Sequence, residues 1–228
     1  MSWLTDLFAL YGRVLSRAME LTRRHWWLGP LAVAYVGIFV GAGLFASNLG
    51  IDLLGSFLVT IVMAGLVSSW FVMIGHVVRS GRVTAADIQG SWFVHLVDVV
   101  TFGFLLWALR EIGAIAFAEL SYVAIVFELA LLVFLSAVPE QIYLGSESGA
   151  AIFVESYRFV AAHWVEWLPA TTALSTLVVA AMQIPFAPLA VVATGIAFAF
   201  IFISRGLLFL ELTTSSRRAR EFQRRFAG

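Results

Sequence analysis

Six long apolar runs, each separated from the next by a short polar segment, dominate the pattern of hydrophobic and polar positions along the chain. A run of roughly 20 apolar residues can cross a bilayer as an α-helix. We predict transmembrane helices at residues 26–45, 53–78, 92–109, 120–138, 167–182 and 189–210. Pro139 and Glu140 are expected to end the fourth helix, because proline lacks an amide donor and a charge is costly in lipid. The pattern therefore predicts an all-α, polytopic membrane helix bundle.

Two segments outside these runs place apolar and charged residues on opposite faces with the period of an amphipathic helix. In residues 1–24, apolar side chains recur on one face, and Arg13 lies among the polar residues of the other. Residues 148–163, which follow the fourth apolar run, repeat this arrangement. Helices of this kind lie in the membrane interface, so we predict two in-plane helices. Together with a basic tail at residues 213–228, the whole chain is expected to form one transmembrane domain.

The composition supports a membrane location and excludes several kinds of site. The chain has 228 residues, of which 61% are hydrophobic and 12% are charged, and its mean hydropathy is +0.96. A soluble domain carries about 25% charged residues. The 14 basic and 14 acidic residues cancel, so no net field attracts nucleic acid. Cysteine is absent, which excludes disulfides, thiolate metal sites and catalytic cysteine.

The arginines are distributed unevenly among the loops. Four precede the first apolar run, two follow the second, one follows the fourth and five lie in the tail, whereas Arg110 stands alone on the opposite side. The positive-inside rule then predicts a bacterial inner (plasma) membrane protein with both termini and residues 148–163 in the cytoplasm. The arginines expected to contact anionic lipid head groups are Arg23, Arg24, Arg217, Arg218, Arg220, Arg224 and Arg225.

Ionisable residues within the apolar runs are costly in lipid and are therefore candidates for a specific role. Asp98 and Arg205 each lie about 9 Å from the predicted cytoplasmic end of their helices. We predict an ion pair between them in the inner leaflet, with Glu140 as the competing acid. The alternative is that the Arg205 side chain extends alone to the lipid head groups. An ion pair at this depth is expected to be structural.

Three further polar residues are candidates for a functional role. Glu128 lies near the middle of the fourth run, where it would bind a proton or a cation, or be a neutral carboxyl bonded to a serine or threonine; burial favours the neutral form. His76 and His95 lie at matching depth on neighbouring helices, which would allow a metal site or a bis-imidazole haem site. No carboxylate or cysteine lies near them at the spacing of metal ligands. We therefore interpret them as interfacial histidines and expect no cofactor or metal.

The segment from Pro139 to Pro169 carries a loose motif. Its elements are Pro139–Glu140, then Ala150–Ala151, Ser156, Tyr157 and Arg158 on a helix, and Trp164 before the next span. This arrangement resembles uncharacterised bacterial six-helix membrane protein families related to the membrane domain of some glycerophosphodiester phosphodiesterases. The resemblance implies a fold and no agreed activity. The soluble phosphodiesterase domain is not found in this sequence, so the resemblance assigns no catalytic residue.

The sequence contains no motif for hydrolytic chemistry, such as a nucleophile elbow or a phosphate-binding glycine loop. The nearest candidate, residues 145–149, is typical of a turn in which Ser148 caps the following helix. We therefore expect a protein that is not an enzyme but a scaffold or accessory subunit of a membrane complex. Its expected partners are membrane lipids and either other membrane subunits or further copies of itself. The alternative is the transmembrane component of a transporter, coupled to a separate ATPase through residues 83–92 and 148–163.

Overall fold

The computed structural model describes residues 2–48 and 52–226, with side chains placed at residues 4–48, 54–120 and 122–214. Its α-helices are α1 (Ser2–Arg24), α2 (Leu28–Asn48), α3 (Asp52–Ser80), α4 (Leu96–Ala116), α5 (Ser121–Phe134), α6 (Val138–Leu144), α7 (Ala151–Met182) and α8 (Ala187–Phe226). Two 3₁₀ helices, Ala85–Ile88 and Ser91–Phe93, lie between α3 and α4. No β-strand occurs in the described ranges, and six helical segments are long and apolar enough to cross a membrane. The predicted all-α, six-span membrane bundle is confirmed.

The third predicted span was too short, because α4 continues past Arg110 and Glu111 to Ala116. These two charged residues do not end the helix, since both are good helix formers and apolar residues follow them. Gly113, in the last turn, packs directly against the ring of Phe127 on α5. Arg110 consequently lies inside the span rather than at its edge.

The fourth predicted span is interrupted, and Pro139 begins a helix instead of ending one. The chain leaves helical geometry between α5 and α6, and Pro139 occupies the first turn of α6. The first-turn N–H groups of a helix have no intrahelical partner, so proline costs no hydrogen bond there. The break exposes the backbone carbonyls of Phe134 and Ser136, which accept hydrogen bonds from side chains of other helices.

The predicted in-plane helix 148–163 and the predicted span 167–182 are joined in one kinked helix, α7. His163 has non-helical backbone angles within it (φ −129°, ψ 22°). Pro169 follows and lacks the N–H that would bond to the Val165 carbonyl. The predicted boundary is thus a bend and not a loop.

Helix α8 runs on without a break through residues 213–226 of the predicted basic tail and ends at Phe226. The side chains of the five tail arginines lie outside the described residues. At the other end of the chain, Arg23 and Arg24 are exposed in the last turn of α1. A basic last turn is favourable at the negative end of the helix dipole.

The core lies where α1, the start of α2, α3, α6, α7 and α8 meet. Its largest fully buried apolar side chains are those of Leu28, Met73, Ile74, Val77, Val138, Ile152, Val160, Trp167, Ile203 and Leu208. Helices α2 and α8 cross closely at Gly29 and Gly195, where a side chain on Gly195 would overlap the Gly29 carbonyl. Helix α1 buries Val14, Ala18 and Leu21 against this core.

The hairpin formed by α4 and α5 packs much less tightly than the rest of the bundle. Gly113 is the one buried position of α4, and no side chain from Tyr122 to Phe134 of α5 is fully buried. Large apolar side chains such as Phe104, Trp107 and Leu132 are more than half exposed. Among the described residues, the two spans of this hairpin therefore have the smallest buried shares of the six candidate spans.

Candidate functional site

The most buried ion pair among the described residues joins Glu140 on α6 to Arg205 on α8. Arg205 donates from Nε to Glu140 Oε1 (2.8 Å) and from Nη2 to Glu140 Oε2 (2.9 Å). The Glu140 side chain is 0% exposed and the Arg205 side chain 17% exposed. This two-bond geometry is the strong form of an arginine–carboxylate interaction. The predicted pair Arg205–Asp98 is wrong, and the competing acid Glu140 takes its place.

The break between α5 and α6 completes the surroundings of Arg205. Its Nη2 also donates to the carbonyl of Ser136, which the break leaves without a helical partner. The Ser136 hydroxyl accepts a hydrogen bond from Trp167 Nε1 on α7 (2.9 Å). The guanidinium carbon of Arg205 lies 5.2 Å from the centre of the Trp167 ring, within the range of a cation–π interaction. One arginine thus connects α6, α7, α8 and the helix break.

Tyr143 and Gly206 close this centre on one side. Tyr143 is one turn beyond Glu140 on α6 and donates from its hydroxyl to the Phe202 carbonyl on α8 (3.3 Å). Gly206 faces Tyr143, and a Cβ on Gly206 would lie 3.0 Å from the Tyr143 hydroxyl and 3.0 Å from Val78 Cγ2. Glycine at this position lets α8 approach α6 and α3 closely.

The bonding around Glu140 and Arg205 suits a structural role. The two charges neutralise each other, the acid is completely enclosed, and the guanidinium bonds a carbonyl and an aromatic face as well as the acid. Buried ion pairs of this kind are stable only when their remaining hydrogen-bonding capacity is also used. The arrangement fixes the relative position of three helices.

Asp98 has a different partner at the same end of the bundle. Its Oδ1 accepts a hydrogen bond from the Gly149 backbone N–H (2.9 Å) in the loop before α7. Gly149 has a positive φ of 62°, which favours glycine. Asp98 therefore holds the loop that precedes α7, and its carboxylate is directed towards that loop instead of towards α8.

Glu128 is paired with an arginine and not with a hydroxyl group, so the favoured interpretation of this residue was wrong. Arg110 Nε donates to Glu128 Oε1 (3.1 Å). The two residues reach each other because α4 extends beyond Arg110, which places both side chains at similar depth in the hairpin. The pair is exposed, with 61% of the Arg110 side chain and 46% of the Glu128 side chain accessible.

His76 and His95 contact different residues and do not form a shared site. His76 Nδ1 lies 3.9 Å from Asp87 Oδ2, and the backbone N–H of His95 donates to Ser68 Oγ (2.9 Å). Asp87 accepts hydrogen bonds from the backbone N–H and the hydroxyl of Thr84, which hold the pKa of its carboxyl below the ordinary value. In the part of the chain that the structure describes, no cluster of three or more potential metal ligands is present.

A serine cluster that the sequence analysis did not single out anchors the loop between α3 and α4. The Tyr35 and Ser69 hydroxyls are 2.7 Å apart, and Ser91 Oγ donates to Ser69 Oγ (2.7 Å). Ser68 Oγ donates to the Ser91 carbonyl (3.0 Å). Ser68, Ser69 and Ser91 are all buried. The signal in the sequence is a pair of adjacent serines within an otherwise apolar run.

Comparison with protein-family models, with curated proteins and with solved structures finds no match to this chain. The resemblance of residues 139–169 to six-helix bacterial families thus stays a prediction.

Proposed function

We propose that this integral membrane protein is a non-catalytic scaffold or accessory subunit of a membrane complex, and that it binds protein through the α4–α5 hairpin. The observation that carries the proposal is the exposed Arg110–Glu128 pair. Ionised side chains within membrane spans almost always face the bundle interior or a water-filled cavity, and pair with one another or with backbone carbonyls. An exposed pair at this depth favours a protein neighbour.

The Glu140–Arg205 centre supports the same role. A translocation site or an active site needs polar groups that a substrate can reach, whereas Glu140 is fully enclosed and Arg205 is committed to three partners. A rigid core combined with an uncovered hairpin suits a protein that works by association.

The proposal is tested by purifying the tagged protein from its native membranes in a mild detergent and identifying accompanying proteins and lipids by mass spectrometry. We expect a stoichiometric protein partner with the wild type, either another membrane protein or a second copy seen in the native mass of the purified complex, and its loss with an Arg110→Gln/Glu128→Gln variant. Arg13→Gln is the matched control, since Arg13 and Glu211 form an exposed pair (3.7 Å) elsewhere. Recovery of a monomer with lipid alone, for the wild type and both variants, would refute the proposal.

The proposed location is the inner membrane of a bacterium, with both termini in the cytoplasm. Because the chain contains no cysteine, single cysteines report the topology without background. Ala118→Cys lies in the α4–α5 loop and Glu147→Cys lies in the α6–α7 loop. A membrane-impermeant maleimide applied to intact cells should label the first variant and not the second; the opposite pattern would reverse the orientation.

A second candidate is the membrane component of a transporter that couples to a separate ATPase. The favouring observation is the loop between α3 and α4, which is hydrogen-bonded to α3 through the serine cluster. A shallow groove of about 410 Å³, lined by Ala85, Ile88, Gln89, Gly90 and Trp92, lies on it. An ATPase that co-purifies with the wild type and is lost with Gln89→Arg would favour this candidate.

A further inference from the structure

One helical face of the hairpin has the spacing of a helix–helix contact. Gly103, Trp107, Arg110 and Ala114 of α4 follow one another at intervals of four, three and four residues, which is the spacing of a coiled-coil seam. Together with Glu128 of α5 they form most of the lining of an open groove of about 370 Å³, to which Leu106 and Glu111 also contribute. We call the four α4 residues named first, with Glu128, the hairpin seam. Its small residues at both ends would let another helix approach closely.

The charged pair within the hairpin seam has unused bonding capacity. A guanidinium has five N–H donors and a carboxylate about four acceptor positions. Within the described residues, Arg110 and Glu128 are joined by one hydrogen bond, from Nε to Oε1. Water satisfies such groups at a protein surface, but the hydrocarbon core of a membrane offers none.

The depth of Arg110 and Glu128 in the membrane limits which groups can form their remaining hydrogen bonds. Arg110 lies about 9 Å from the end of α4, and Glu128 about 10 Å from the start of α5, at 1.5 Å per residue. A two-fold axis along the membrane normal preserves the depth of every residue. In a symmetric dimer, Arg110 of each copy therefore meets Glu128 of the other at the same level.

We propose that a second copy of this chain covers the hairpin seam, and that the two Arg110–Glu128 pairs join into a ring of four alternating charges across the interface. A two-fold interface requires a self-complementary patch, and the hairpin seam has this property because it carries one donor and one acceptor of opposite charge. A heterologous partner would have to supply both charges itself. The inference rests on the proposed function in one respect, namely that the hairpin binds protein.

Cysteine cross-linking in native membranes tests the contact directly. A Cβ at Gly103 would meet no other atom within 4 Å, so Gly103→Cys is compatible with the fold. We expect its copper-catalysed disulfide dimer to exceed that of Val36→Cys, an exposed position on α2, by at least about tenfold, equivalent to about 1.4 kcal/mol. Equal yields at the two positions would overturn the proposal.

Charge reversal separates pairing between copies from pairing within one copy. Arg110→Glu gives a seam with two acids, and Glu128→Arg gives a seam with two bases. Each variant alone should lose at least about 90% of the Gly103→Cys dimer, a tenfold change. When the two are co-expressed with different tags, the acidic seam should pair with the basic seam and restore the mixed dimer. This rescue also shows that both variants fold, while Arg13→Glu should leave the dimer unchanged.

The same experiment distinguishes failure of the dimer from failure of the proposed function. Cross-linking of Gly103→Cys to a different membrane protein would overturn the dimer and leave the scaffold proposal standing. Absence of any protein cross-link at Gly103, together with purification as a lone protein with lipid, would overturn both. Single reversals that fail and are not rescued on co-expression would overturn the four-charge ring.

Discussion

Replacing Glu140 with glutamine should lower the free energy of unfolding by about 3–5 kcal/mol, the cost of leaving one member of a buried ion pair unbalanced. The carboxylate accepts two hydrogen bonds from Arg205, at 2.8 and 2.9 Å. Each charge-assisted bond contributes about 1.5–3 kcal/mol, and the glutamine carbonyl oxygen can retain one of them. The remaining loss comes from the guanidinium, which keeps its charge in an enclosed site.

The assay is reversible unfolding in mixed micelles with increasing SDS, followed by tryptophan fluorescence. Glu155→Gln is the matched control, because Glu155 pairs with Arg158 at 2.7 Å with both side chains more than a third exposed. Such surface pairs contribute about 0–1 kcal/mol. If Glu140→Gln costs less than about 1 kcal/mol, or no more than the control, the structural role assigned to the pair is refuted. Removing both charges with Glu140→Leu/Arg205→Leu should cost less than Glu140→Leu alone.

Three other outcomes are expected. Gly206→Val should destabilise the protein by about 1–3 kcal/mol through overpacking against Tyr143, measured in the same unfolding assay, whereas Gly37→Val, which meets no atom within 4 Å, should be nearly neutral there. Ser69→Ala should cost about 1 kcal/mol and speed hydrogen exchange in the loop between α3 and α4; unchanged exchange would contradict the anchoring role. The pKa of Asp87 is lowered on folding, so its contribution is complete above its ordinary value of about 4 and is lost as pH falls through the lower folded value. Amide exchange at the start of that loop, corrected for the intrinsic pH dependence, should show this loss in the wild type and not in Asp87→Asn.

The six spans could be predicted because length and hydropathy determine which segments cross a bilayer. The partner of Arg205 could not, because the sequence gives the depth of a residue along its helix but not the direction in which it points. Asp98 and Glu140 were both at suitable depth. The packing of α6 against α8 places Glu140 beside Arg205, while Asp98 faces the loop that precedes α7.

The pairing of Glu128 was missed for a related reason. Ending the third span at Arg110 placed that residue outside the membrane and left Glu128 without a charged neighbour. The break between α5 and α6 was equally hidden, since Leu135, Ser136 and Ala137 are unremarkable in an apolar run. The oxygen atoms at the break accept hydrogen bonds from donors contributed by α7 and α8, and these donors cannot be read from the local sequence.

The ion pair joins residues that are far apart in the order of synthesis. Arg205 lies on the last helix and is 65 positions after Glu140. Until α8 enters the membrane, Glu140 and the open carbonyl of Ser136 have no guanidinium to bind, and Ser136 has no Trp167 until α7 arrives. We therefore expect the middle of the bundle to remain loosely inserted during translation, and the arrival of α8 to be the step that closes it. A chain truncated before α8 should accordingly be degraded quickly, although five of its six spans are complete.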